Sequence, residues 1–188
     1  MRIVVGISGA TGIIYGVRLL EALKELGVET HLIMSHWAIE NLTLETDYSL
    51  AHVLALADRY YDNAELGATV ASGSFKTDGM VIIPCSMKSL AAIAIGYSEN
   101  LLHRAADVMI KEGRRLIIAP RETPLSTIHL ENMLKLAKIG VVIMPPMPAF
   151  YHKPQSISEL INHHTGRILN RLNLDNNLVK PWEGSPGR

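Results

Sequence analysis

Residues 6–12, Gly-Ile-Ser-Gly-Ala-Thr-Gly, follow the apolar run Ile3-Val4-Val5 and lead straight into an amphipathic segment. Strand, small-residue loop and helix in that order suit a phosphate. Glycines let the backbone approach an anion, and the helix N-terminus meets it with N–H groups and the positive end of its dipole. The spacing narrows the ligand. Glycines at 6, 9 and 12 do not make the G-x-G-x-x-G dinucleotide fingerprint, and no Gly-Lys-Ser/Thr follows to make a Walker loop. The second apolar run ends at Ser35, where an NAD-binding chain usually carries an acidic residue for the ribose. A hydroxyl there suits a ligand with one phosphate. With no ligand, the same loop is a tight strand-to-helix turn.

Other reactive residue types follow apolar runs in the same way. Pro84-Cys85-Ser86-Met87-Lys88-Ser89 brings hydroxyls and a cation, Pro120-Arg121-Glu122 a cation and a carboxylate, and the segment from Pro145 to Tyr151 an apolar, aromatic wall. Ser86 and Ser89 open a helix, so their hydroxyls either cap it or bind a ligand. Cys85 reads as a small buried residue rather than a nucleophile, because no histidine is specified beside it. No metal site is predicted: the histidines form no H-E-x-x-H pattern, and the adjacent His163 and His164 point about 100° apart on a helix.

These residues need a frame, and the chain supplies one by alternation. Strands are expected at Ile3–Ile7, Thr30–Met34, Met80–Pro84, Leu116–Ala119 and Val141–Met144, all rich in Val and Ile and suited to burial on both faces. Helices are expected at about 13–26, 36–44, 49–57, 86–94, 99–112, 126–138 and 156–172. The polar segment 58–79 holds a short extra strand or a long loop. Strand–helix alternation predicts an α/β, doubly wound (Rossmann-like, flavodoxin-like) three-layer fold with a mainly parallel sheet, in which ligands sit beyond the carboxyl ends of the strands. The 188 residues are expected to make a single domain with an extended C-terminal tail from about Asp175.

The balance of 18 basic against 18 acidic residues provides no field for nucleic acid or an anionic membrane. A single cysteine fits a reducing compartment, and no apolar run approaches the ~20 residues of a transmembrane helix. A cytoplasmic protein is expected.

Taken together, Gly9-Ala10-Thr11-Gly12, Pro84-Cys85-Ser86, Arg104-Ala105-Ala106-Asp107, Pro120-Arg121-Glu122, the run Ile128–Leu134 and Pro148-Ala149-Phe150-Tyr151 resemble the flavin prenyltransferases of the UbiX/Pad family, over nearly the whole chain and in the right order. Ser72–Phe75 and Pro145-Pro146-Met147 are most similar to its branch associated with phenolic-acid decarboxylation operons. The resemblance implies a metal-independent enzyme that joins reduced FMN to dimethylallyl phosphate at N5 and C6. The product is prenylated FMN for a UbiD-type decarboxylase. It also implies a homo-oligomer, a dodecamer built of trimers; the apolar content of the 145–151 loop and the tail suggests an oligomer whose sites span interfaces.

Residue by residue, the resemblance puts Gly9, Ala10, Thr11, Ser35, Ser86, Met87, Lys88, Ser89 and Arg121 on the flavin. Thr11 stands where relatives often have Ser and keeps the hydroxyl. For the prenyl phosphate the resemblance selects Tyr151 and Arg167, with Lys111 and Arg104 nearby; Trp182 in the tail either closes over the pocket or is a plain packing anchor. Arg104 and Lys111 lie two helical turns apart with Asp107 between them, and on spacing alone that pattern makes ordinary helix salt bridges. Glu122 is the expected acid/base residue, with Glu45 second, poised with Lys111. Other activities remain open at this point: an FMN-dependent cysteine decarboxylase of the same fold, a non-catalytic FMN carrier, or an aromatic-acid decarboxylase in its own right.

Overall fold

The computed structural model describes residues 1–179 together with Pro181, Trp182 and Gly184. Two compact units divide at Pro146 and Met147.

The first unit contains a six-stranded sheet of β1 (Arg2–Ile7), β2 (Glu29–Met34), β3 (Arg59–Asp62), β4 (Gly79–Cys85), β5 (Arg115–Pro120) and β6 (Val142–Ile143). All neighbours are parallel and the order is β3-β2-β1-β4-β5-β6. Helices α1 (Ile13–Glu25), α2 (His36–Glu45) and the short α3 (Leu50–Leu54) connect the strands of one half. Helices α4 (Met87–Ala94), α5 (Leu101–Lys111) and α6 (Thr127–Lys138) connect those of the other. A parallel strand pair needs a crossover, and the right-handed crossover puts the helices of the two halves on opposite faces of the sheet. Both faces of β1 and β4 are therefore covered, and Ile3, Val4, Val5, Ile7 and Met80–Ile83 have no exposed surface. The expected three-layer, doubly wound fold is the one observed, with the sheet wholly parallel.

Close packing at one glycine fixes α1 against the sheet. A Cβ on Gly16 would lie 2.6 Å from the carbonyl oxygen of Ile83 and 2.8 Å from Cδ1 of Ile7. Only a residue without a side chain lets the helix lie this close to β1 and β4.

The sequence order reverses between β1 and β4, and there the backbones part. Ser8 spans the gap. Its N–H and its hydroxyl both donate to the Pro84 carbonyl, at 3.1 and 3.2 Å, and its Oγ accepts the Ser86 N–H at 2.7 Å. Ser35 N–H donates to Ile7 O on one side and Arg121 N–H to Cys85 O on the other. The carboxyl ends of β2, β1, β4 and β5 are thereby laced into one continuous edge.

The second unit is built on α7 (Ile157–Arg171). Ser156 caps it by accepting the Glu159 N–H, and Asn173, with φ 61°, turns the chain after it. The tail expected to run extended from Asp175 instead folds back on the helix. Asn176 donates to Gly166 O and to Asn170 Oδ1, and its own Oδ1 accepts the Leu178 N–H. A Cβ on Gly166 would strike Val179 and Asn176, so this glycine makes the seat for the tail. The last expected tail residues, Ser185–Arg188, lie outside the described residues.

His164 on α7 is 5% exposed, and burial, with the nearby His163, pushes its pKa down to about 4. The unfolded chain binds a proton near 6.5 and the folded chain does not, so stability is fully present above pH 6.5 and is lost as pH falls toward 4. The loss is bounded by ~3 kcal/mol and levels off below pH 4, where both states are protonated. Melting temperatures measured across that range should fall, and His164→Leu should flatten the part of the slope between pH 6.5 and 4.

Among the described residues no helix is long and apolar enough to cross a membrane.

Candidate active site

Three helices begin at the laced edge, each directly after a strand of the central trio: α1 after β1, α2 after β2 and α4 after β4. Ser35 and Ser86 both sit at N-cap positions. Ser35 Oγ accepts the Ala38 N–H, and Ser86 Oγ accepts the Ser89 N–H, each at 3.2 Å. Capping, one of the two readings open to Ser86, is the bond its Oγ makes, and Ser35 does the same for α2. It leaves the first-turn N–H groups of His36, Trp37, Met87 and Lys88 without an intrahelical acceptor, since no helix supplies one there. Two dipole ends and these donors converge beside the Gly9–Gly12 loop, an arrangement that holds an anion.

The first turn of α1 is already engaged. Glu45 Oε2 accepts the Gly12 N–H at 2.7 Å and the Ile13 N–H at 3.2 Å. Gly12, at φ 94°, turns these donors toward the end of α2. Glu45, an exposed residue at the end of α2, thus holds the start of α1. The loop's phosphate-binding capacity rests on Gly9–Thr11 and on its neighbours α2 and α4. Gly9 has its own reason to be glycine: a Cβ there would collide with Cβ of Trp37, a residue that is itself 65% exposed.

Behind this surface the groups are dry. Cys85 has no exposed surface and burial pushes its thiol up to about 12, which removes it as a nucleophile at neutral pH. Ser86 donates to Ser89 Oγ at 3.2 Å, and Ser89 Oγ lies 3.2 Å from Nε2 of buried His103. Ser89 thus serves the interior, turned from the edge toward α5. At the end of β5, Arg121 and Glu122 are exposed, and Glu122 Oε1 accepts the Thr123 N–H at 2.9 Å.

Arg104 and Lys111 are placed differently. Arg104 donates to Asp107 at 2.8 Å, as the spacing suggested, and also to Ala71 O. Lys111 pairs with Glu112 at 2.6 Å rather than with Asp107. It ends α5 and precedes β5, so it stands at the amino edge of the sheet. The whole of β5, six residues and about 20 Å, separates it from Arg121 and Glu122.

In the second unit, Tyr151, His163, Arg167, Asn170 and Trp182 line a cavity of about 520 Å³. The Trp182 ring meets the Tyr151 ring edge-on, at 5.8 Å between centroids. Tyr151 and Arg167, joined from sequence by resemblance alone, thus line one cavity together with Trp182.

Residues 1–168 match the family described as Flavoprotein. The flavin prenyltransferase LpdB of Lactiplantibacillus plantarum is 60% identical over 184 residues, 97% of this chain and 98% of that protein. The chain belongs to the UbiX-like flavin prenyltransferases. A dodecameric FMN-dependent UbiX-like decarboxylase from Escherichia coli O157:H7 superposes with a TM-score of 0.96 at 52% identity, covering 98% of this chain and all of the other. AnUbiX (PadA1), solved in complex with FMN and dimethylallyl pyrophosphate, also reaches 0.96, at 51% identity and 97% coverage of both chains.

Against that prenyltransferase background, the sequence missed four features of the site. Ser8 is the clasp of the edge, Trp37 packs on Gly9, Glu45 caps α1 and His163 touches Tyr151. Their partners lie 12 to 78 residues away. Only the fold joins them; a signal was available for Ser8 alone, as the hydroxyl inside the glycine run.

Proposed function

We propose that this chain joins the dimethylallyl group of dimethylallyl phosphate to N5 and C6 of reduced FMN, yielding prenylated FMN and phosphate. What carries the reading is chain-long similarity, at 60% identity, to a protein named as a flavin prenyltransferase. The edge fits FMN: two helix N-termini with unengaged first-turn donors, the Thr11 and Ser35 hydroxyls and Arg121 suit its single phosphate. Ser86, Met87 and Lys88 border the same place, and Gly9 and Ala10 give the backbone close access. Reduced FMN supplies the nucleophilic nitrogen and ring carbon.

Tyr151 and Arg167 hold the donor phosphate, Arg in two-pronged fashion, while Trp182 walls the pocket and offers a π face to a developing allyl cation. Glu122 protonates the leaving phosphate and later takes up the C6 proton. Glu45 anchors the loop through α1 and is the second acid/base candidate. Lys111 and Arg104 serve a donor phosphate from a neighbouring copy, since Lys111 stands at the far edge of its own sheet. That division agrees with an oligomer, and the dodecamer of the Escherichia coli relative is the form we assign. The product passes to a UbiD-type decarboxylase, in the cytoplasm, where the lone thiol of Cys85 stays reduced.

Anaerobic incubation of the protein with reduced FMN and dimethylallyl phosphate, followed by mass spectrometry of the released flavin, tests this directly. A gain of one C5 unit is expected. Unchanged FMN from a protein shown to bind both ligands would reject the transferase reading in favour of a carrier.

A further inference from the structure

The run Ser72-Gly73-Ser74-Phe75, similar in sequence to one branch of the family, lies against the end of α5 at the amino edge of the sheet. Arg114, just before β5, pins it there. One guanidinium nitrogen donates to Gly73 O, and another to Phe75 O at 2.8 Å and to Thr77 Oγ1 at 3.4 Å. The Arg114 side chain is only 16% exposed. Lys111 and Glu112 rest on the turn so held. A Cβ on Gly73 would lie 2.8 Å from Lys111 Nζ and nearer still to the Glu112 carboxylate. That carboxylate is shared between two cations: Oε1 meets Lys111 at 2.6 Å, and Oε2 lies 4.0 Å from Arg114. The hydrogen bond and charge of Lys111 hold the Glu112 carboxyl below its usual range, so it is ionised at neutral pH.

A lysine in the last turn of a helix is otherwise loosely placed. Its stem is flexible, and an exposed pair with a neighbouring carboxylate gains little more than the freedom it gives up. The seat is what confines it here. Were the turn to draw back, ammonium and carboxylate would gain room; were it to advance, they would be pushed out. Arg114 is suited to fix the turn, because its planar fork holds two carbonyls and a hydroxyl at once. We propose that Arg114 is a positioning residue for prenyl transfer: by holding the Gly73 and Phe75 carbonyls it sets the turn that seats Lys111, and so the place where the Lys111 ammonium meets the phosphate of dimethylallyl phosphate. The proposal rests on the reading of Lys111 as a ligand of that phosphate in a neighbouring copy.

Steady-state kinetics of three variants separate the two ideas. Arg114→Lys keeps the charge and gives up the fork. It should raise KM for dimethylallyl phosphate roughly fivefold, about the effect of one lost hydrogen bond, with kcat within about twofold. FMN affinity should be unchanged, since the carboxyl edge lies at the other end of β5. Lys111→Met should raise KM roughly tenfold, and adding Arg114→Lys to it should change little more. Gly73→Ala disturbs the seat from the other side. The atoms its methyl would meet are the ends of flexible side chains, so the fold should accept it and Lys111 should be displaced, with the same selective rise in KM. Arg114→Lys at the parental KM beside an impaired Lys111→Met, full additivity in the double variant, or an equal loss of FMN affinity overturns the role of Arg114 and spares that of Lys111. Lys111→Met at the parental KM removes the underlying reading as well. If Arg114→Lys fails to fold, Gly73→Ala decides: a parental KM there, beside an impaired Lys111→Met, rejects the seat.

Discussion

Replacing Glu122 with Gln should leave FMN affinity intact and slow prenyl transfer by roughly 10²–10⁴-fold, the usual contribution of a positioned general acid or base. Gln has the shape of Glu and can still accept the Thr123 N–H, so the end of β5 and the Arg121 backbone bond to Cys85 stay as they are. What disappears is a group that can give a proton to a leaving phosphate and then take one from carbon. Monophosphate leaves more reluctantly than diphosphate, so the substitution should hurt least when a diphosphate donor is offered. Anaerobic single-turnover assays read the rate, and fluorescence titration reads FMN binding. A parental rate in Glu122→Gln would strike Glu122 from the mechanism.

The second large effect is expected at Gly9, where Gly9→Ala drives a methyl into Cβ of Trp37. Neither atom is the end of a flexible side chain, so loop or helix must yield. Overpacking of this kind costs ~1–3 kcal/mol, which is roughly 5- to 150-fold in an equilibrium constant. If the loop moves, the cost falls on FMN affinity; if α2 moves, it falls on the melting temperature. The loop is expected to move, because α2 is tied down by the Ser35 cap and by Glu45 at its far end. Trp37→Ala retains the offending Cβ and should rescue nothing. Trp37→Gly removes it and should restore binding in the double variant, less the ~1 kcal/mol of helix stability that glycine forfeits. Failure of Trp37→Gly to rescue would show that the collision is not the cause.

Apolar periodicity located the buried parts of the fold. The runs at 3–7, 30–34, 80–84 and 116–119 lie within observed strands to within a residue or two, because a strand covered on both faces must be apolar throughout. The edges were harder to read. Arg59–Asp62 forms β3 with three of its four residues exposed, so no burial pattern marks it, and pairing with β2 alone makes it a strand. At the other edge, four expected residues shrink to Val142–Ile143, before Pro145 and Pro146, which have no N–H for a ladder.

The site divides along the same line. Hydroxyls at helix starts and the glycine loop were legible, since capping and close approach are local matters. Glu45 on Gly12, Ser8 on Ser86 and Tyr151 on His163 were not, because each bond joins residues whose nearness only tertiary folding creates. The helical spacing of Arg104, Asp107 and Lys111 anticipated the first pair and misjudged the second, as Lys111 had a closer carboxylate in Glu112.

Ser8 has a further consequence. Where β1 and β4 separate, the crevice width is set by one oxygen that both donates across the gap and accepts from it. Those lengths are chemical constants, indifferent to whether anything occupies the space. The mouth of the crevice is a gauge cut before the ligand arrives, so filling it requires no rearrangement there. An alanine at this position would leave the gauge without its rung and the Ser86 amide without its acceptor.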